Sequence, residues 1–208
     1  MKHKGIISKI TREIIFELKQ FMESDGEDTM VIDLPNSDDY FTKKIYGVVS
    51  DFIIELYLFK TNDNNYMIIG DAPGDISDDN IRIGIYVNPQ NYKRNLTQIY
   101  FNLIYTIRHE FEHLCQVISG DTRNIYKSKK KYRGDSLSTL MKECELEPQT
   151  LGYHLQSKKE NKPFDEIVQN HLLKLENNQQ ITFKNETRKQ ILINEIKYCA
   201  KLLNLKLN

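Results

Sequence analysis

The stretch Thr106-Ile107-Arg108-His109-Glu110-Phe111-Glu112-His113-Leu114 constrains this chain more than any other, because it sets His-Glu-x-x-His inside a run with helical apolar spacing. On a helix, residues i and i+4 lie one turn apart on the same side, so His109 and His113 can aim their imidazole nitrogens at one tetrahedral ion. Glu110 projects beside that ion, where a carboxylate can take a proton from water and hand it to a leaving amine. The pattern predicts a Zn²⁺ site with His109 and His113 as ligands and Glu110 as general base and then acid.

The flanking sequence predicts the helix itself. Asn95 followed by Gln98 resembles a capping box and Ser119-Gly120 supplies a stop, which sets the helix at about Leu96 to Ile118. Leu96, Ile99, Leu103, Ile107, Leu114 and Ile118 share one face, and the two histidines fall on its flank.

Composition narrows the function classes. The 208 residues suit one domain, residues 1–208, with 157–208 as a helical C-terminal extension. Lys plus Arg and Asp plus Glu are both 29, so global charge favours neither nucleic acid nor an anionic membrane as partner. Cys115, Cys144 and Cys199 are too scattered for a disulfide framework, and no signal segment opens the chain. These features point to a soluble protein of the reducing cytoplasm. Abundant Lys, Asn, Ile and Tyr with no Trp suit an AT-rich source such as a bacterium or its phage, which would place the protein in the host cytoplasm or the virion.

Upstream of the signature, Ile7, Ile10, Ile14, Leu18, Phe21 and Met22 predict an amphipathic first helix from Gly5 to Glu23. Thr29 to Leu34 reads as a short strand, and Asp38 to Tyr46 is ambiguous, with a short helix as one reading. Phe52, Ile54, Leu56 and Leu58 alternate, and a polar turn over 61–65 joins them to Tyr66–Ile69 as a hairpin; Gly70 to Asp75 reads as a loop. Ile81, Ile83, Ile85 and Val87 alternate with Arg82, Gly84 and Tyr86 in a further strand. As an exposed edge this strand would receive an extended peptide. Lys127 to Arg133 reads as a solvated basic loop. Helices are expected at Leu137–Gln156, Phe164–Glu176 and Lys184–Leu205, with Pro148 an irregularity in the first.

A catalytic zinc usually has three protein ligands and an open position. Gln116 and Ser119 stand where a metzincin has Gly and His, which excludes that class. The segment Glu145-Leu146-Glu147-Pro148-Gln149-Thr150-Leu151-Gly152-Tyr153 resembles the Glu-x-x-Ala-Asp-x-x-Gly segment of gluzincin metallopeptidases, including small phage and bacterial members. The resemblance covers the two motifs, the loop between them and their helices, under a third of the chain. It implies Glu145 as third ligand, although spacing alone leaves Glu147 open. It also sets Gln149 where many members have an acid that orients a ligand histidine, and Pro148 where they have alanine.

Other side chains near the motifs read as structural. Glu112, Glu143 and Glu147 are expected to be solvated or helix-face carboxylates, and Cys115 and Cys144 buried packing. Tyr126, Tyr132, Tyr153 and His154 are candidate oxyanion donors. The reading is an α+β, zincin-like fold with a small, mostly antiparallel sheet, an active-site helix and C-terminal helices. Its expected activity is zinc-dependent hydrolysis of peptide bonds in a peptide or protein substrate. The alternative is a non-catalytic structural or binding protein that keeps the fold.

Overall fold

Three- and four-residue spacing puts Ile7, Ile10, Ile14, Leu18 and Phe21 on one side of α1 (Lys4–Glu23), and all five are buried. The structure is a computed structural model describing residues 3–34, 41–45, 48–72, 80–118, 136–141 and 143–207. The chain divides into two compact units, Met1–Asp121 and Thr122–Asn208. The expected basic loop at Lys127 to Arg133, with Tyr126 and Tyr132, lies outside the described residues.

In the first unit α1 is followed by β1 (Thr29–Leu34), β2 (Phe41–Ile45), β3 (Val48–Lys60), β4 (Met67–Asp71), β5 (Asn80–Val87) and α2 (Tyr92–Ile118). The strands make one mixed sheet in the order β1-β3-β5-β4, with β2 pairing the start of β3. Pairing is antiparallel except between β3 and β5, where Leu56 stands beside Ile83 in a parallel register. Period-two alternation buries Phe52, Ile54, Leu56 and Leu58 of β3 and Ile81, Ile83, Ile85 and Val87 of β5. Both α1 and α2 pack on this sheet. Arg82, Gly84 and Tyr86 point away from the core, as their alternation predicts.

Three expectations about the sheet are corrected. Residues 41–45 form a strand where a short helix is one reading, since Phe41 pairs with Phe52 and the two rings lie 5.6 Å apart. The expected hairpin of β3 with β4 does not form; β4 instead pairs antiparallel with β5, Ile69 opposite Gly84. As a result β5 lies inside the sheet and β4 holds the outer position, so β5 is not the exposed edge that could receive a peptide. Side-chain alternation reports which face is buried and carries no record of which backbone lies alongside.

In the second unit, α3 (Leu137–Leu140), α4 (Glu143–Glu160), α5 (Phe164–Asn177) and α6 (Glu186–Leu202) pack around α4. The single expected helix over 137–156 is thus two, and α4 runs on through Pro148. A proline in a helix interior removes one backbone donor and distorts locally. Leu146, Leu155, Phe164, Leu172, Leu192 and Ile196 are fully or nearly fully buried there. Asn185 caps α6, its side chain accepting from the Arg188 amide at 3.1 Å. No helix among the described residues is long and apolar enough to cross a membrane.

Phe52 is fully buried between Phe41 and Phe111, whose ring centroid is 5.4 Å away, and so joins β2, β3 and α2. Phe52→Ala should therefore lower unfolding free energy by about 3–5 kcal/mol. Urea denaturation measures this, and a loss below about 1 kcal/mol would mean the ring is not a core anchor.

Candidate metal centre

The helix that carries the signature starts earlier than its sequence suggests. Asn88 accepts from the Gln90 amide at 2.9 Å through its side chain, and its carbonyl accepts from Asn91 at 3.0 Å. This turn launches α2 at Tyr92 directly out of β5. Asn95 is thus already helical and does not cap; Gln98 donates to Asn102 at 3.2 Å instead. Ile99, Leu103, Ile107, Phe111 and Leu114 seal the helix to the core.

With that face fixed, His109 and His113 share the neighbouring flank, and their Nε2 atoms lie 3.1 Å apart. Two nitrogens, each about 2.0–2.1 Å from one tetrahedral zinc, stand roughly 3.3 Å from each other. The pair therefore already has the spacing of two ligands on one ion. The rings meet edge to face at 74°, so their nitrogens converge without the rings colliding. His113 Nδ1 lies 3.2 Å from Gln116 Oε1. With Nε2 given to a metal, Nδ1 carries the proton and donates it to Gln116, which fixes tautomer and ring orientation.

Glu110 is 7% exposed, its Oε1 3.9 Å from His109 Nε2. That separation puts the carboxylate beside the histidine nitrogens, where a proton acceptor can stand. The carboxylate lies against β4. A Cβ built on Gly70 would fall 2.5 Å from Glu110 Oε1, 2.6 Å from its Cγ and 2.6 Å from Thr106 Cγ2. Gly70 is thus part of strand β4, not the loop its neighbours suggest.

Glu145 is half-buried on α4 of the second unit. Glu147, the rival ligand, is two residues further on and so about 200° around the helix. Burial, with the Glu147 charge adding to it and a Thr150 hydrogen bond opposing it, pushes the Cys199 thiol up to about 11. Glu147 thus lies near enough to Cys199 of α6 for its charge to act on that thiol. Gln149 is buried and its amide donates to the Leu140 carbonyl at 3.2 Å, while the side chain at His113 Nδ1 is Gln116.

The remaining candidates sort by burial. His154 Nε2 donates to the Lys206 carbonyl at 3.0 Å, and Tyr153 packs edge-on against His171, so both hold the second unit together. Burial, reinforced by the Glu112 charge, pushes the Cys115 thiol up to about 12, as suits a side chain packed in the core. The side chains of Glu143 and Cys144 lie outside the described residues. Neither Glu112 nor Glu147 is solvated: each is under a tenth exposed. Glu112 pairs with Arg108 at 2.6 Å one turn back on α2. That pair and Gln116 are roles the sequence carried as i,i+4 and i,i+3 neighbours on a helix. Gly70 had a weaker signal, an isolated glycine in an apolar run.

No family model, curated protein or solved structure matches the chain.

The side chains of Arg108 and Glu112 are 6% and 9% exposed. Removing one partner strands a buried charge, so Arg108→Met should cost about 3–5 kcal/mol in urea denaturation. Combining it with Glu112→Leu should recover part of that loss. A single-variant cost under about 1 kcal/mol would mean water reaches the pair.

Proposed function

We propose that this chain is a zinc-dependent metallopeptidase with a zincin-like fold, in which His109, His113 and Glu145 hold the ion and Glu110 moves the proton. The observation that carries the reading is the 3.1 Å convergence of the two Nε2 atoms on α2 beside a buried glutamate. His109, His113 and Glu145 make a donor set of the size and chemistry that could hold one divalent ion. Two imidazoles and one carboxylate are also the ligands of known catalytic zinc sites, which leave a position open. The gluzincin-like segment supports Glu145 as the third ligand.

Zinc, when bound, supplies a Lewis acid that eases ionisation of water near neutral pH and polarises a scissile carbonyl. The protein's own part is the proton. Glu110 accepts it as the water oxygen bonds to the carbonyl carbon, then delivers it to the amine as the C–N bond breaks. Gln116 Oε1 can accept from His113 Nδ1, which favours the tautomer that offers Nε2 to an ion. An extended substrate fits the outer edge of β4, the strand that touches Glu110 through Gly70.

Elemental analysis of protein purified without added metal should find one zinc per chain, and added Zn²⁺ should raise the melting temperature of the stripped protein, as a native-state ligand must. The loaded protein should cleave members of a mixed peptide library. Glu110→Gln should keep its zinc and lose hydrolysis by several orders of magnitude. Equal activity in that variant would overturn its role; zinc without any cleavage would make the chain a metal-binding protein.

The third ligand is decided by titration. Glu145→Gln removes a charge that neutralises the ion and should weaken zinc binding strongly, whereas Glu147→Gln should alter it slightly. The reverse order would make Glu147 the ligand.

A further inference from the structure

Strand β4 meets α2 along a polar seam. Gln98, Asn102, Thr106 and Glu110 follow one another at four-residue intervals and so form one row along the helix. At one end Asn102 Nδ2 donates to the buried Tyr66 hydroxyl at 2.8 Å. At the other, the Cα of Gly70 lies so close to Thr106 and Glu110 that a methyl group there would overlap both. The two runs are commensurate. From Asn102 to Glu110 the helix rises about 12 Å, and from Tyr66 to Gly70 an extended chain advances about 13 Å. The Tyr66–Asn102 bond therefore fixes the register of strand against helix, and that register brings Gly70 to Glu110.

We propose that Gly70 is the positioning residue for Glu110: the side chain it lacks leaves the space in which the carboxylate is confined between β4 and α2. Its catalytic meaning rests on the hydrolytic reading of Glu110; the packing contact does not. A larger residue at position 70 forces a choice. Either the Glu110 side chain swings away, being flexible, or the strand shifts, because the Thr106 methyl on the helix has little freedom to give. In both cases the proton acceptor leaves its place while the histidines, on the neighbouring flank of α2, keep theirs.

The test uses full-length, zinc-loaded protein. Gly70→Ala should retain the zinc content of the parent and lower kcat on a cleavable library peptide by on the order of 10²-fold, with KM little changed. A parallel readout needs no activity. In a double-mutant cycle followed by urea denaturation, Gly70→Ala should cost less stability in a Glu110→Ala background than in the parent, since residues in contact couple. If Gly70→Ala does not fold, the cycle is run in Thr106→Ser, which removes the other atom a Cβ would meet. Equal costs in both backgrounds, unchanged kcat, or loss of zinc in Gly70→Ala would each overturn the proposal. If the loaded parent cleaves no peptide, the hydrolytic reading fails, and the cycle still decides the role of Gly70.

Discussion

Helix α2 has to satisfy two requirements with one set of side chains. Its apolar stripe must seal the sheet, and burial of Ile99, Leu103, Ile107, Phe111 and Leu114 fixes the helix's rotation about its own axis. Once that rotation is set, every other position has a determined neighbourhood. His109 and His113 fall on one flank with converging nitrogens. Thr106 and Glu110 fall towards β4, where Gly70 admits them. Arg108 and Glu112 take a further buried side, where they neutralise each other. A helix of 27 residues tied at its start to β5 by the Asn88 turn is a rigid carrier for such groups.

Burial of so many polar groups on one helix is costly unless each is satisfied. Short-range pairing along α2 offsets part of this cost: Gln98 to Asn102, Arg108 to Glu112, His113 to Gln116. These i,i+3 and i,i+4 contacts need no loop closure, so the polar side of the helix is organised by the helix itself. In the second unit α4 follows the same logic. Thr150 bonds back to the Leu146 carbonyl at 2.7 Å, and Ser157 reaches past the helix end to the Lys162 carbonyl at 2.8 Å.

Much of this was legible in the sequence wherever the information is local. The i,i+4 histidines, the first helix, β1 and the alternation of β5 all follow from periods of 3.6 or 2, and the structure has them where those periods put them. Sheet order was not legible. The polar turn over 61–65 suits a hairpin, yet β3 pairs with β5 in parallel and leaves β4 outside. Backbone partners leave no mark on side-chain alternation. The start of α2 is set by the Asn88 turn, which launches the helix at Tyr92, ahead of the Asn95–Gln98 spacing that resembles a capping box. Glu145 is singled out by resemblance alone, since a candidate donor on a separate helix follows no spacing rule. Gly70 matters through a distant residue, Glu110, and an isolated glycine in an apolar run is a weak local sign of it.

Because the account turns on what the two α2 histidines are for, X-ray absorption at the zinc K-edge of the protein as purified tests it most directly. The predicted spectrum has a first shell of nitrogen and oxygen, about four atoms at 2.0–2.2 Å. It should also show the multiple scattering of two imidazole rings, and no sulfur. Loss of that imidazole signal in His109→Ala should accompany loss of the metal. A sulfur shell near 2.3 Å, marking cysteine ligation, or a zinc environment unchanged by His109→Ala would contradict it.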